Sequence, residues 1–224
     1  MRTHNTRFMV VTTHASSDPL TIDIRPARMD DVYAILNLHR EAFADKFGAA
    51  FGVSGVGRGV EAMAEAWRRQ GVSALRGMMV ACSDRHVIGT ITLRTWEMGH
   101  DDSGAAELAF HKVLGAWGAL RSIFALSLID HQISRDEGYI TDVAVQGAYR
   151  RRGVAQALLA RAEEDARIRR KRYLGLYVSA TNYGARTLYT QVGFAEHRTR
   201  RSFVAGLVLR QRSWVYMRKP LSIL

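Results

Sequence analysis

Cysteine is almost missing from this 224-residue chain. The single residue, Cys82, excludes an intramolecular disulfide framework and suits a reducing compartment, so a cytoplasmic location is expected. Cys82 closes the apolar run Met78-Met79-Val80-Ala81-Cys82 and reads as a small buried hydrophobe. No Cys and His residues cluster at metal-ligand spacing, and the eight histidines are scattered, so no metal site is expected. The phosphate-binding patterns G-x-G-x-x-G and G-x-x-x-x-G-K-[ST] are both absent. The start offers only a four-residue apolar patch, Phe8 to Val11, too short for the core of a signal peptide, and residues 1–18 read as a disordered tail. The longest apolar stretch, Val113 to Ile129, falls short of the roughly 20 residues a membrane-spanning helix needs and carries Arg121 at its centre. No membrane span is therefore expected.

Acidic residues are also scarce, 21 against 32 Lys and Arg, for a net charge of +11. Such a balance fits either nucleic-acid binding or an anionic ligand. The densest basic runs favour the ligand. Arg167 to Arg172 ends a helix, where the dipole favours cations. Arg150-Arg151-Arg152-Gly153-Val154-Ala155 joins an apolar strand, Tyr139 to Val145, to a strongly periodic helix beginning near Gly153. Free backbone N–H groups and the positive helix end would both face an anion held in that turn. Gly153 permits close approach and the arginines add charge-assisted hydrogen bonds. Nucleic acid is not the expected main partner.

Hydrophobic content of 47% and this length suit one globular domain, residues 19–224. A strand is predicted at Leu20–Arg25, then a helix opened by Asp30 and Asp31. The glycines between Gly48 and Gly59 read as a loop, and a second helix spans about Val60 to Gln70. A hairpin turning at Asp84-Arg85-His86 joins Met78–Ser83 to Val87–Arg94. Strand 139–145, helix 153–171, strand 173–179, helix 182–192 and a closing hairpin of 194–204 with 211–218 complete the order. The class is α/β: a central mixed, mostly antiparallel sheet with helices on both faces.

Arg150-x-x-Gly153-x-Ala155 is followed about thirty residues later by Asn182-x-x-Ala185-x-x-Leu188-Tyr189-x-x-x-Gly193-Phe194. Together these resemble the GCN5-related N-acetyltransferase (GNAT) superfamily over roughly residues 20–46 and 77–218. The resemblance implies acetyl-CoA as cosubstrate, its pyrophosphate held by Arg150, Arg151, Arg152, Gly153, Val154 and Ala155. It implies a pantetheine arm lying between splayed strands against the backbone of Val143, Ala144 and Val145, with a hydrogen bond from Asn182. It also implies direct attack by an amine, with Tyr189 protonating the leaving thiolate. In some members a Glu just upstream of this strand is the general base, and Glu137 matches that place. Asp142 reads as a structural carboxylate pairing with an arginine, and Glu41 as a group that could hold the amine by charge. Residues 97–134 depart from the family pattern as a helical insertion between the third and fourth strands. Its apolar stretch is open to three readings: packing on its own domain, a homodimer interface, or a wall of the acceptor pocket. The acceptor site is expected from residues 48–59, 97–134 and the final hairpin, with Phe47, Phe51, Trp96 and Trp117 as aromatic candidates that suit a core equally. A small primary amine is the favoured acceptor. A protein or peptide amine, and a coenzyme A-sensing module without turnover, are the alternatives.

Overall fold

A computed structural model describes residues 6–10, 20–51, 56–99, 111–114, 131–203 and 212–222. Eight strands, β1 (Thr6–Val10), β2 (Leu20–Pro26), β3 (Met78–Ser83), β4 (His86–Thr95), β5 (Glu137–Val145), β6 (Tyr173–Ser179), β7 (Ala195–Arg201) and β8 (Ser213–Pro220), form one sheet in the order β1-β2-β3-β4-β5-β6-β8-β7. Every pairing is antiparallel except β5 with β6. Among the described residues the longer helices are α1 (Val32–Ala42), α2 (Ala44–Phe51), α3 (Val56–Gln70), α4 (Val154–Ile168) and α5 (Tyr183–Gln191).

The period-2 alternation of the strands divides the core in two. Met79 and Ala81 of β3 face α4 together with Ile22, Ile91, Ile140, Leu158 and Leu176, whereas Met78, Val80 and Cys82 face α1–α3 with Ile35, Leu36 and Ala64. Cys82 is buried, as its apolar run requires. The β3–β4 hairpin turns on Asp84 and Arg85, both at positive φ (47° and 68°), the geometry of a two-residue turn that matches strand twist.

Two expectations are corrected. Residues 6–10, read as part of a disordered tail, pair with β2 from Thr6↔Ile24 to Val10↔Leu20. The outer edge of β2 carries a row of backbone donors and acceptors, and β1 satisfies them. The glycine-rich stretch 48–59, read as a loop, lies largely in helices: Gly48 belongs to α2, and Gly57 and Gly59 belong to α3. Packing explains this override of helix propensity. A Cβ on Gly59 would overlap the ring of Phe51, so the glycine lets α2 and α3 meet closely. Most of the 97–134 insertion, including the apolar run around Leu120 and Trp117, lies outside the described residues. Of its described part, Val113 and Leu114 pack on the α1–α3 core, and Lys112 Nζ stands 3.2 Å from Glu65 Oε1 on α3.

The two ends of that insertion are tied together. Lys171, nearly buried just before β6, donates to Glu97 Oε1 (2.5 Å) and Oε2 (2.8 Å) and to the carbonyl of Arg135 (2.8 Å). The Arg135 guanidinium lies 4.6 Å from the centroid of the Trp96 ring. The hydrogen-bonded Lys171 ammonium holds the Glu97 carboxyl down at about 2.

Two stability tests follow from these contacts. Gly59→Ala is expected to cost about 1–3 kcal/mol by overpacking. In a Phe51→Ala background the same change becomes neutral or stabilising, because only the helix preference for Ala then remains; urea unfolding of the four proteins reads the cycle. Glu97, with its folded pKa lowered, adds stability that is complete above about pH 4.5 and is lost as pH falls toward about 2. Glu97→Gln should remove that part of the acid dependence, measured as Tm against pH.

Candidate functional site

β5 stays paired with β4 along its length, from Thr95↔Gly138 to Gly89↔Val145. Its pairing with β6 runs only from Glu137↔Tyr173 to Ile140↔Leu176. β6 continues along β8 to Ser179↔Trp214. The two parallel strands therefore part after four pairs. Among the described residues no strand pairs with β5 on its β6 side from Thr141 to Val145, and unpaired backbone groups seek hydrogen bonds.

A bulge accompanies the parting. Between Thr90↔Ala144 and Thr92↔Thr141, β4 spans two residues while β5 spans three. Asp142 occupies the extra position at φ 54°, an uncommon conformation for a residue with a Cβ. Its carbonyl accepts from Thr90 Oγ1 (3.0 Å), which leaves Thr90 Oγ1 to accept in turn from His39 Nε2 (3.0 Å) on α1. His39 is buried, edge-on to Phe43 and Trp67. Among the described residues no arginine pairs with Asp142: its carboxylate is exposed and accepts from Thr141 Oγ1 (2.8 Å).

The open wedge leads into the basic turn. A single 3₁₀ turn, Gly147–Tyr149, is followed by extended Arg150, then by Arg151 at φ 59° and Gly153 at φ 78°. Gly153 is the N-cap of α4 and has no side chain to cap it. The first backbone bond of the helix runs from Ala157 N to Gly153 O (3.0 Å). The N–H groups of Val154, Ala155 and Gln156 thus have no backbone partner among the described residues. Arg150 is held by its own strand, Nε to Val145 O (3.1 Å), and by Glu41, Nη2 to Oε1 (3.4 Å). Glu41 also accepts from the N–H of Gly147 (3.1 Å). In this structure Glu41 braces the turn through these two contacts. Arg152 lies over the Tyr149 ring, its guanidinium carbon 5.6 Å from the centroid, and Arg151 is exposed.

Asn182 is the N-cap of α5: its Oδ1 accepts from the N–H of Ala185 (3.1 Å), leaving the amide NH₂ available. Two turns further along α5, Tyr189 is 8% exposed within the α4-side core, its ring 5.9 Å from that of Phe194. Burial pushes its phenol up to about 12. Tyr189 is therefore a protonated donor at neutral pH.

Glu137 sits at the closed end of the wedge, on the opposite face from Tyr189. It is 2% exposed. Its carboxylate accepts from His131 Nε2 (3.0 and 3.1 Å to the two oxygens), the Ser134 N–H (3.2 Å) and the Tyr216 hydroxyl. Burial pushes the Glu137 carboxyl up, but hydrogen bonds from His131, Tyr216 and Ser134 outweigh it and hold the group below the usual carboxylate range. A carboxylate so held is a poor proton acceptor. The aromatic set here is Tyr139, Tyr177, Tyr216 and His131, which sequence reasoning did not single out. The spacing of Tyr139, Tyr177 and Tyr216 on one face of three neighbouring strands was a usable signal; His131, outside any regular element, had none. Of the aromatic candidates that were named, Phe47 and Phe51 are core residues 7% and 5% exposed, Trp96 is half exposed beneath Arg135, and Trp117 lies outside the described residues.

A strand parts here from its parallel neighbour beside an uncapped, arginine-flanked helix N-terminus, the kind of terminus at which anions bind. The family model described as the acetyltransferase (GNAT) family matches residues 34–194, and the chain belongs to that family. A structure described as an acetyltransferase superposes with a TM-score of 0.63 at 23% identity, covering 89% of this chain and 99% of that one. The ribosomal-protein-S18-alanine N-acetyltransferase from Escherichia coli gives 0.54 at 17% identity, over 91% of this chain and 96% of its own. The PaiA N-acetyltransferase from Thermoplasma acidophilum, solved with coenzyme A, gives 0.55 at 16%, over 89% and 98%. These likenesses show the fold. No curated protein matches the sequence.

Gly175 makes the Glu137 cluster sterically feasible: a Cβ there would overlap both Glu137 Oε1 and the Tyr216 hydroxyl. Gly175→Ala should therefore break the cluster, costing about 1–3 kcal/mol and lowering turnover. Gly184→Ala, where a Cβ meets only Asn182 Oδ1 at 4.0 Å, should change neither; thermal unfolding and initial rates of both variants check this.

Proposed function

We propose that this GNAT-family protein transfers the acetyl group of acetyl-CoA directly to a primary amine, a small molecule being the favoured acceptor. One observation carries the reading: the free β5 backbone between Thr141 and Val145 runs straight into the uncapped N-terminus of α4. A pyrophosphate fits the turn of Arg150, Arg151, Arg152, Gly153, Val154 and Ala155, where N–H groups, dipole and guanidinium charge converge. A pantetheine arm fits the wedge as a surrogate strand against Val143, Ala144 and Val145, with the Asn182 amide as a further donor. The thioester then lies where the strands part.

Two reactants fixed in one wedge supply much of the rate. The amine nitrogen attacks the thioester carbonyl, the carbon–sulfur bond breaks, and Tyr189 gives its phenolic proton to the departing thiolate. Burial keeps the phenol protonated but also makes it a weaker acid than a free phenol, so the role of Tyr189 rests on its place in the motif and on α5. The described acceptor face supports a small amine, because the rings of Tyr139, Tyr177 and Tyr216 pack closely there, with centroids 4.9 to 6.5 Å apart. One observation favours a peptide amine instead: β7 is an exposed edge strand bearing Arg198, Arg200 and Arg201, along which an extended acidic chain could pair.

The test is free-thiol release from acetyl-CoA against polyamines, amino acids, aminoglycosides, arylalkylamines and short peptides. Amine-dependent release is expected. Tyr189→Phe should lower kcat by about 10²-fold or more and leave the rise in Tm on adding acetyl-CoA unchanged. Full activity in that variant would remove Tyr189 from the mechanism. Absence of both release and binding would overturn the assignment.

A further inference from the structure

We infer that His131 is the base that takes the proton of the acceptor amine, with Glu137 as the positioning residue that sets its state. This rests on the acetyltransferase reading above. The geometry begins with the carboxylate. Glu137 is ionised, buried and acceptor-only, and three donors converge on it. Whatever faces it must bring a proton, so Nε2 of His131 carries hydrogen. In the neutral ring the lone pair is then on Nδ1. No partner for Nδ1 is found among the described residues.

The ring is also in the right place. Its centroid lies 4.3 Å from that of Tyr139 and 5.5 Å from that of Tyr177. Tyr139 lies one residue before the last β5 residue paired with β6, and Tyr177 is the first β6 residue beyond that pairing. His131 therefore covers the apex of the wedge on the α1–α3 face, while Tyr189 belongs to the α4-side core. Base and acid stand on opposite sides of the gap in which a thioester would be attacked. Among the described residues the groups facing His131 are Glu137 and Tyr139 from β5, Tyr177 from β6 and Tyr216 from β8. Ser134 and Tyr173 close one side, and His197 and Arg198 of β7 lie behind Tyr216. Glu137 is the one carboxylate in this set.

The proton balance is simple. The ammonium form of the acceptor gives one proton to Nδ1 and becomes a neutral amine. Its lone pair forms the carbon–nitrogen bond as the carbon–sulfur bond breaks. The nitrogen releases a second proton as the amide forms, and the thiolate takes one from Tyr189, whose phenolate recovers it. The sum is an amide, a free thiol and one proton passed from His131 to solvent.

The experiment compares wild type, His131→Gln, His131→Ala and Glu137→Gln in thiol release with an amine the wild type accepts. His131→Gln can still donate a hydrogen bond to Glu137 but offers no base. It should lose about 10²- to 10⁴-fold in kcat, with the Tm rise on acetyl-CoA intact and the acid limb of the pH–rate profile gone. Added imidazole should restore His131→Ala at least tenfold. Glu137→Gln should keep the acid limb but lower kcat, because the ring is then no longer fixed in one tautomer. The ¹⁵N spectrum of labelled wild type should show Nε2 protonated and Nδ1 bare, and both tautomers in Glu137→Gln. A His131→Gln enzyme within threefold of wild type, or a His131→Ala enzyme that imidazole does not raise, overturns this inference alone. A wild type that releases thiol with no amine of the panel overturns the acetyltransferase reading, and this inference with it.

Discussion

Everything about this site depends on where two parallel strands stop sharing hydrogen bonds. β5 and β6 pair through Ile140 and Leu176 and then diverge, because each has a better partner elsewhere. β6 follows β8 to its end, and β5 follows β4. A strand edge inside a sheet is costly unless something occupies it. The wedge thus leaves a stretch of β5 edge unpaired with β6, and α4 begins beyond its open end. The bulge at Asp142 fixes the direction of the free edge, held through Thr90 to a buried histidine of α1.

Charge is distributed to the same end. At the open mouth of the wedge arginines surround an uncapped helix terminus, and Glu41 braces the turn through Gly147 and Arg150. At the closed apex a single carboxylate is buried among aromatic rings, and its three donors compensate the desolvation. The mouth is suited to bind an anion, and the apex to control a proton. The insertion is fastened beside the apex by Lys171, Glu97 and the Trp96–Arg135 stack, so the segment that supplies His131 is anchored to the sheet.

Much of this was legible in the chain. The apolar run of Met78–Ser83 and the alternation of Tyr173–Ser179 gave those strands at the observed bounds, and the periodicity after Gly153 gave α4. The turn at Arg150–Gly153 was legible because local geometry alone makes it an anion site. Two readings failed for tertiary reasons. Gly57 and Gly59 look like loop residues until Phe51 packs against the space a side chain would fill. Thr6–Val10 looks too polar and isolated for structure until β2 offers an unpaired edge.

The sequence by itself determined most of the elements, the family resemblance and the basic turn before α4, since each is set by residues near one another in the chain. Only the tertiary structure decided the roles of the carboxylates. Glu41, 106 positions before Gly147, serves the anion turn, and Glu137 is saturated by groups as distant as Tyr216. Proton affinity depends on burial and on which donors surround a group, and those neighbours come from four separate segments of the chain. No local pattern can encode such a meeting, because it exists only once the sheet has formed.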